Sequence, residues 1–229
     1  MTVFGLHLPR QFAATPLFAW VRAMLGALIG IGMTAFVCHI WLGAAPQGLP
    51  FLIAPVGASA VLVFALPASP LAQPWPVIGG NTLSALMGVV AYQLVPDASV
   101  AAGLAVALAI GGMAFARCLH PPGGAVALTA VLGGPAIHAA GWHYALIPVA
   151  LNTAILVGLA WLFHTATRHS YPHRAMAMPA PRAQQVTAAD IAAALAHYDE
   201  VIDVSPDDLL ALLRDAEAEA DKRAKAAPR

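Results

Sequence analysis

The stretch WVRAMLGALIGIGMTAFVCHIWL, from Trp20 to Leu42, decides the class of this fold. After Arg22 it holds no formally charged residue, and crossing a hydrocarbon core takes about 20 consecutive apolar residues. The same character extends far beyond it. Between Arg22 and Arg168 the only formal charges are Asp97 and Arg117. A water-soluble domain must solvate its outer face and usually carries about 25% charged residues. This chain has 10% charged and 60% hydrophobic residues, with a mean hydropathy of +0.75. Ten of its eleven acidic residues crowd between Asp190 and Asp221. The sequence therefore reads as an all-α polytopic transmembrane helical bundle, set in a lipid bilayer, with a short soluble helical tail. The net charge of zero averages these two parts, and no basic patch points to nucleic acid.

Working outward, residues 1–16 read as a cytosolic lead and 17–172 as the membrane domain. Residues 173–186 read as a linker, and 187–229 as the tail. No cleavable signal peptide is expected, because the first apolar run is too long for a signal core. Val77 to Val95, Val100 to Ala116 and Tyr144 to Phe163 read as further spans. Two apolar segments are shorter. Phe51 to Leu66 rises roughly 24 Å as a helix, less than a core of about 30 Å. Leu119 to Leu132 is shorter still, and both contain proline and glycine near their start. A shift of 67 residues superposes Pro55 on Pro122, Gly57 on Gly124, Ala58 on Ala125, Ala60 on Ala127 and Trp75 on Trp142. This suggests two pseudo-repeated halves, each of span, short Gly/Pro-opened segment and span. Arg10 and Arg22 before the first span, and Arg168, Arg174 and Arg182 after the last, place both termini in the cytoplasm of the cell inner (plasma) membrane. Four crossings with two re-entrant segments and six full crossings both satisfy that rule. Six places Arg117 inside and Asp97 outside, and inverts the halves relative to each other.

Chemistry concentrates in Cys118-Leu-His-Pro-Pro-Gly-Gly-Ala125. Pro121 and Pro122 suit a helix start, and the glycines admit a close approach to the backbone. Free amides of Gly123, Gly124 and Ala125 would then face a ligand with the positive helix end behind them, an arrangement suited to anions. His120 and Arg117 add polar or positive groups at the same mouth, although prolines also simply kink spans and arginines also reach lipid phosphate. Gly57, Ala58 and Ser59 offer the same construction in the first half, against the plainer reading of small-residue packing. Asn81, flanked by Gly79-Gly80, is favoured over Asn152-Thr153 as a path-lining amide. Gly26-x-x-x-Gly30 reads as a packing seam. Cys38 and Cys118 read as small core residues. The remaining histidines fit no metal spacing, so neither a metal nor a cofactor is expected. In the tail, Thr187 to Asp190 reads as a capping box and Ser205-Pro-Asp-Asp208 as a helix start, with Leu209, Leu212 and Leu213 as an apolar stripe. Such short helices suit packing on each other, on the membrane domain or on a second subunit, and a homo-oligomer is expected.

At these residues the sequence resembles the HPP family of integral membrane proteins, named for the motif present here as His120-Pro-Pro122. The resemblance covers most of residues 17–172. It includes Gly57 to Val61, Ser69 to Pro74, Val77 to Asn81 with Ser84-Ala85, Arg117 to Ala125, Val131 to Gly134 and Tyr171-Pro172. The family is described with four transmembrane helices. Its members in cyanobacteria and chloroplasts are implicated in nitrite transport, so the resemblance implies nitrite or a similar small monovalent anion as substrate. The tail resembles the linker that precedes paired nucleotide-sensing CBS domains in some bacterial members. Regulation through such a module is not expected from this chain.

Residues and resemblance converge on a membrane transporter or channel for a small anion. The absence of Asp and Glu from the spans speaks against a cation path or a carboxylate proton relay. An intramembrane enzyme is the weaker alternative: Ser59 lacks the second glycine of a nucleophile elbow, and no carboxylate is available to orient His120. A sensory or scaffold protein acting through the tail is the other.

Overall fold

A computed structural model of the chain describes residues 2–3, 6–7, 17–42, 49–174, 186–195 and 204–226. A two-residue antiparallel pairing, Thr2–Val3 with Leu6–His7, precedes the helices. The membrane elements are α1 (Leu17–Leu42), α2 (Pro55–Ala65), α3 (Pro76–Leu94), α4 (Ala98–Phe115), α5 (Pro122–Leu132), α6 (Pro135–Ala140) and α7 (Ala145–Ala166). The tail adds α8 (Ala188–Leu195) and α9 (Pro206–Ala226). Of the described helices, α1, α3, α4 and α7 are long and apolar enough to cross a membrane. Large apolar side chains such as Met24, Leu28, Trp41, Leu94 and Phe115 stand exposed on the outside of the bundle, where lipid would cover them.

Local chemistry sets the helix ends. Proline opens α2 and α5 at the first turn, where a missing N–H is harmless. Pro67 and Pro96 follow shortly after the ends of α2 and α3, because a residue before proline disfavours helical backbone. Asp97, the sole acid of the membrane domain, caps α4: its Oδ1 accepts from the N–H groups of Ser99 and Val100 at 3.0 and 2.9 Å. α4 and α7 then end alike. Arg117 and Arg168 take left-handed backbone, φ 53° and 58°, and the following N–H reaches back to Met113 O or His164 O. Such a C-terminal cap usually holds glycine, and a cation there also complements the helix dipole.

Contacts along the helices fix their directions. His39 near the end of α1 packs on Phe51, with ring centroids 5.4 Å apart, whereas Phe64 near the end of α2 fills the notch at Gly26 and Gly30 nearer the start of α1. α2 therefore runs back along α1 toward the N-terminal end of the bundle. α5 runs parallel to α3: Gly80 abuts His120, Gly123 abuts Ser84, and Gly88 abuts Ala127 and Ala130. Tyr92, near the end of α3, stacks on His138 of α6 at 3.8 Å. The two 11-residue helices, each rising only about 16 Å, thus link opposite ends of the bundle instead of turning back on themselves. Among the described residues the chain makes six passages of the bundle, four on long helices and two on short helices completed by irregular backbone. The start of α1 and the end of α7 share one end, and Asp97 lies at the other.

Several details depart from expectation. The loop after α5 contains α6, opened by Pro135 and closed by Gly141 at φ 53°. α7 is interrupted where Ile147 is extended, so its regular part begins at Leu151. In the tail, the capping box forms, with Thr187 N and Asp190 Oδ2 2.9 Å apart. The buried leucine of α9 is Leu210, while Leu212 is exposed, because α9 offers its 206–210–213 face inward. Most of the 1–16 lead and residues 175–185 of the linker lie outside the described residues.

Candidate functional site

The 3-10 turn Pro70–Ala72, with its flanks from Ser69 to Gln73, organises the polar interior. Ser69 caps it, its Oγ accepting from Leu71 N at 3.1 Å. Gln73 Nε2 donates to the Pro67 and Ser69 carbonyls at 2.9 and 2.8 Å. The Tyr171 hydroxyl donates to Ala72 O at 3.0 Å, and burial pushes that hydroxyl's pKa well up. His120 Nδ1 lies 2.8 Å from Leu71 O. A carbonyl can only accept, so Nδ1 carries a proton.

That assignment determines the other side of the ring. In the neutral imidazole, Nε2 is an acceptor, and the Ser59 hydroxyl 2.8 Å away donates to it. Ser59 Oγ in turn accepts from Asn81 Nδ2 at 3.2 Å, and the second Asn81 hydrogen goes to Val77 O at 2.8 Å. The three side chains come from α2, the start of the regular part of α3 and the lead into α5, and all are fully buried. The Ser59 proton has a second, longer outlet, Pro55 O at 3.4 Å. A His120 ring protonated at both nitrogens would donate to Ser59 and turn the hydroxyl toward Pro55. Asn81 Oδ1 is buried and has no partner.

Asn152 makes an instructive contrast. Its Oδ1 accepts from Ile53 N at 2.9 Å, and its Nδ2 donates to Phe51 O and Cys38 Sγ at 3.0 and 3.1 Å. Both ends of this amide hold the irregular approach to α2, and one N–H also ties it to α1. Thr153 donates back to Val149 O of its own helix.

Of the residues singled out in the sequence, Ser59, Asn81 and His120 converge. Pro121 is exposed and Pro122 buried, and together they open α5. Gly123 is buried where a Cβ would strike Ser84 Oγ, so it serves close packing. Gly124 is half-buried, while Gly57, Ala58, Ala125 and Arg117 are exposed away from the cluster. The expected row of free amides is not present: Gly57, Gly123 and Gly124 donate to Ala54, His120 and Pro121 carbonyls at 3.0, 2.9 and 3.1 Å. An abrupt αR turn before each proline uses up these donors. Sequence reasoning also missed the Leu71 carbonyl and Tyr171. The signal was present in the paired Ser69–Pro74 and Tyr171-Pro172 motifs, but nothing in one dimension joins them to His120.

No group of described His, Cys, Asp and Glu residues is arranged to hold a metal ion. Compared with known proteins, the chain matches the family profile described as HPP, transmembrane region, over residues 13–172. It is 39% identical over 160 residues to a transmembrane protein of Dictyostelium discoideum, covering 68% of this chain and 49% of that protein. A second transmembrane protein of the same organism is 40% identical over 126 residues, covering 53% of this chain and 44% of its own length. The chain thus spans just under half the length of these curated relatives. No solved structure matches it.

Proposed function

Because the chain belongs to the HPP family of transmembrane proteins, we propose that it is a membrane transporter or channel for a small monovalent anion, with nitrite the leading substrate. One observation carries this reading: a fully buried, uncharged cluster of Ser59, Asn81 and His120 where the two short helices meet. Buried polar side chains in a membrane bundle mark solute paths when they are not fully used in holding the fold. Here Asn81 Oδ1 has unused capacity. With neutral His120 fixing the position of Ser59, the Ser59 hydroxyl and the Asn81 Nδ2–H groups could turn toward one desolvated anion. Asn81 Oδ1 would then accept from water travelling with it. The six passages, three in each direction, suit halves that rock against each other as inverted repeats. On the positive-inside rule, the end bearing Arg22, Arg117 and Arg168 faces the cytoplasm, with both chain ends there and Asp97 outside, as in a bacterial inner membrane. Assembly as a homo-oligomer belongs to the same proposal.

The test is anion flux in proteoliposomes, comparing nitrite with nitrate, formate and chloride. His120→Ala should abolish nitrite flux at unchanged protein yield. Wild-type flux in that variant removes the mechanism. One observation favours a second reading: Ser59 and His120 are 2.8 Å apart with the ring held by Leu71 O, as a nucleophile and its base would be. A mid-helix serine with no exposed surface makes this the weaker reading. Hydrolysis of a soluble ester by purified protein, without vesicle flux, would reverse the ranking. Deleting residues 180–229 separates transport, which should survive, from signalling through the tail.

A further inference from the structure

A continuous run of hydrogen bonds ties the start of α9 to the turn that orients His120. Asp208 stands in the first turn of α9, where its Oδ2 accepts from Ser205 Oγ and its N–H donates back to that oxygen at 3.1 Å. Its other oxygen, Oδ1, lies 2.9 Å from His173 Nε2. A carboxylate only accepts, so Nε2 holds a proton. The backbone N–H of the same histidine donates to Gln73 Oε1 at 2.8 Å. With its oxygen held there, the Gln73 amide directs its Nε2 hydrogens to the Pro67 and Ser69 carbonyls. These bonds, together with that from Tyr171 to Ala72 O, fix the turn that carries Leu71 O, which in turn sets the tautomer of His120.

The same helix is lightly seated. α9 packs chiefly on α8. Between its approach and the membrane domain lies a cleft of about 360 Å³, lined by Leu66, Pro67, Ala68 and Ser69 on one side and by Val204 and Asp208 on the other. A helix held across an open cleft by a partly exposed ion pair can leave without disturbing the core of the bundle. Docked and released positions of α9 thus supply the two discrete states through which a residue outside the membrane can act on one inside it. On release, His173 loses its anchor, and with it the N–H that pins Gln73 loses its support.

We infer that Asp208 is a positioning residue for the membrane site: the tail, docked through Asp208 and His173, holds the Leu71 carbonyl, and so His120, in the arrangement that binds the anion. Asp208 itself never touches the solute. The inference rests on the proposed anion path and adds to it a regulator in the chain's own tail.

Amide hydrogen exchange of the full chain in detergent reads the first link, and nitrite flux in proteoliposomes reads the second. Asp208→Ala and His173→Ala should each speed exchange at Leu71 and Ala72, whose N–H groups bond to Ser69 within the turn. Coupling between two sites is worth about fivefold at its low end. A binding-competent site populated about one-fifth as often raises the half-saturating nitrite concentration by that factor, and more than it lowers the maximal rate. Cross-linking Ala68→Cys to Val204→Cys, across the cleft, should restore both readouts in the Asp208→Ala background. Lys222→Ala, an exposed change far along α9, should match the wild type. If the wild type carries no nitrite, the transport reading falls, while exchange still decides whether the tail holds the turn. Unchanged exchange in both variants, or faster exchange with an unchanged half-saturating concentration, overturns the inference.

Discussion

Replacing Ser59 with alanine tests the cluster at its centre. Its hydroxyl makes two bonds between elements, to His120 at 2.8 Å and from Asn81 at 3.2 Å. Alanine leaves His120 Nε2 and one Asn81 hydrogen without partners inside a dry bundle. In a water-soluble core each such orphan costs about 1–3 kcal/mol. Interhelical bonds in membranes are worth less, averaging about 0.6 and reaching about 1.7 kcal/mol, because the unfolded helices also find partners. Two of them put the loss for Ser59→Ala at about 1–3 kcal/mol. The Ser59–His120 term can be isolated by a cycle with His120→Leu, in which the Asn81 and Leu71 terms cancel. The expected coupling is about 0.6–1.7 kcal/mol, read by denaturation of the purified protein in mixed micelles. In parallel, nitrite flux through Ser59→Ala should fall about tenfold or more at a temperature where the variant stays folded, equivalent to about 1.4 kcal/mol of lost stabilisation along the path. Additive unfolding energies together with wild-type flux would refute both the hydrogen-bonded cluster and its role.

Gly88→Ala should prevent normal folding, since its Cβ would sit 2.6 Å from Ala127 O and 2.7 Å from Ala130 Cβ, while Gly57→Ala, with nothing within 4 Å, should be neutral; monodisperse yield in detergent compares them. Arg117→Gly should stabilise by about 1 kcal/mol by relieving left-handed backbone, with flux unchanged because the side chain is exposed; thermal unfolding and flux measure the two. Docking of α9 should fail in acid. Burial pushes the Asp208 carboxyl up, but hydrogen bonds from Ser205 and His173, with the His173 charge, hold it below its ordinary value. Its contribution is therefore complete above the ordinary carboxylate range, about pH 4, and is lost as pH falls through the lower folded value. The distance between labels on Val204 and Ala68, both lining the cleft between tail and membrane domain, reports the release.

The spans were legible because lipid imposes one rule on every residue of a helix. Trp20 to Leu42 and Val100 to Ala116 differ from the observed α1 and α4 by only a few residues. Cap chemistry was legible for the same reason: Thr187 with Asp190, and Ser205 before Pro206, act on neighbours in sequence. The direction of α2 and α5 was not, because length alone fits both a re-entrant hairpin and a short passage; contacts such as His39 with Phe51 decide it. The candidate site was half legible. Residue type marked Ser59, Asn81 and His120 as polar groups in an apolar body. The supposed amide cradle failed because its donors are consumed by tight turns whose geometry one motif cannot reveal.

Six passages on four long helices create a need that accounts for part of the buried polarity. Non-helical backbone inside a bilayer must find partners within the protein, and around α2 it does. Asn152 holds Phe51 and Ile53 before α2, His164 takes the Val63 carbonyl at its end, and Gln73, Tyr171 and His120 serve the turn beyond it. Of the other buried polar side chains, Thr34 and Thr153 bond back to their own helices and Ser84 lies 3.5 Å from Met113 Sδ. Ser59 lies inside a regular helix, its back-bond to Pro55 stretched to 3.4 Å, and half of the Asn81 amide serves nothing. The contrast with Asn152 sharpens the point, since Ile53, whose N–H Asn152 Oδ1 accepts, lies 67 residues before His120, the spacing that relates Pro55 to Pro122. Where one amide closes onto backbone, the other faces a serine and a histidine and keeps an acceptor in reserve. A fold needing only stability would close both, so the unfinished one is where water accompanying a solute would complete the hydrogen bonding.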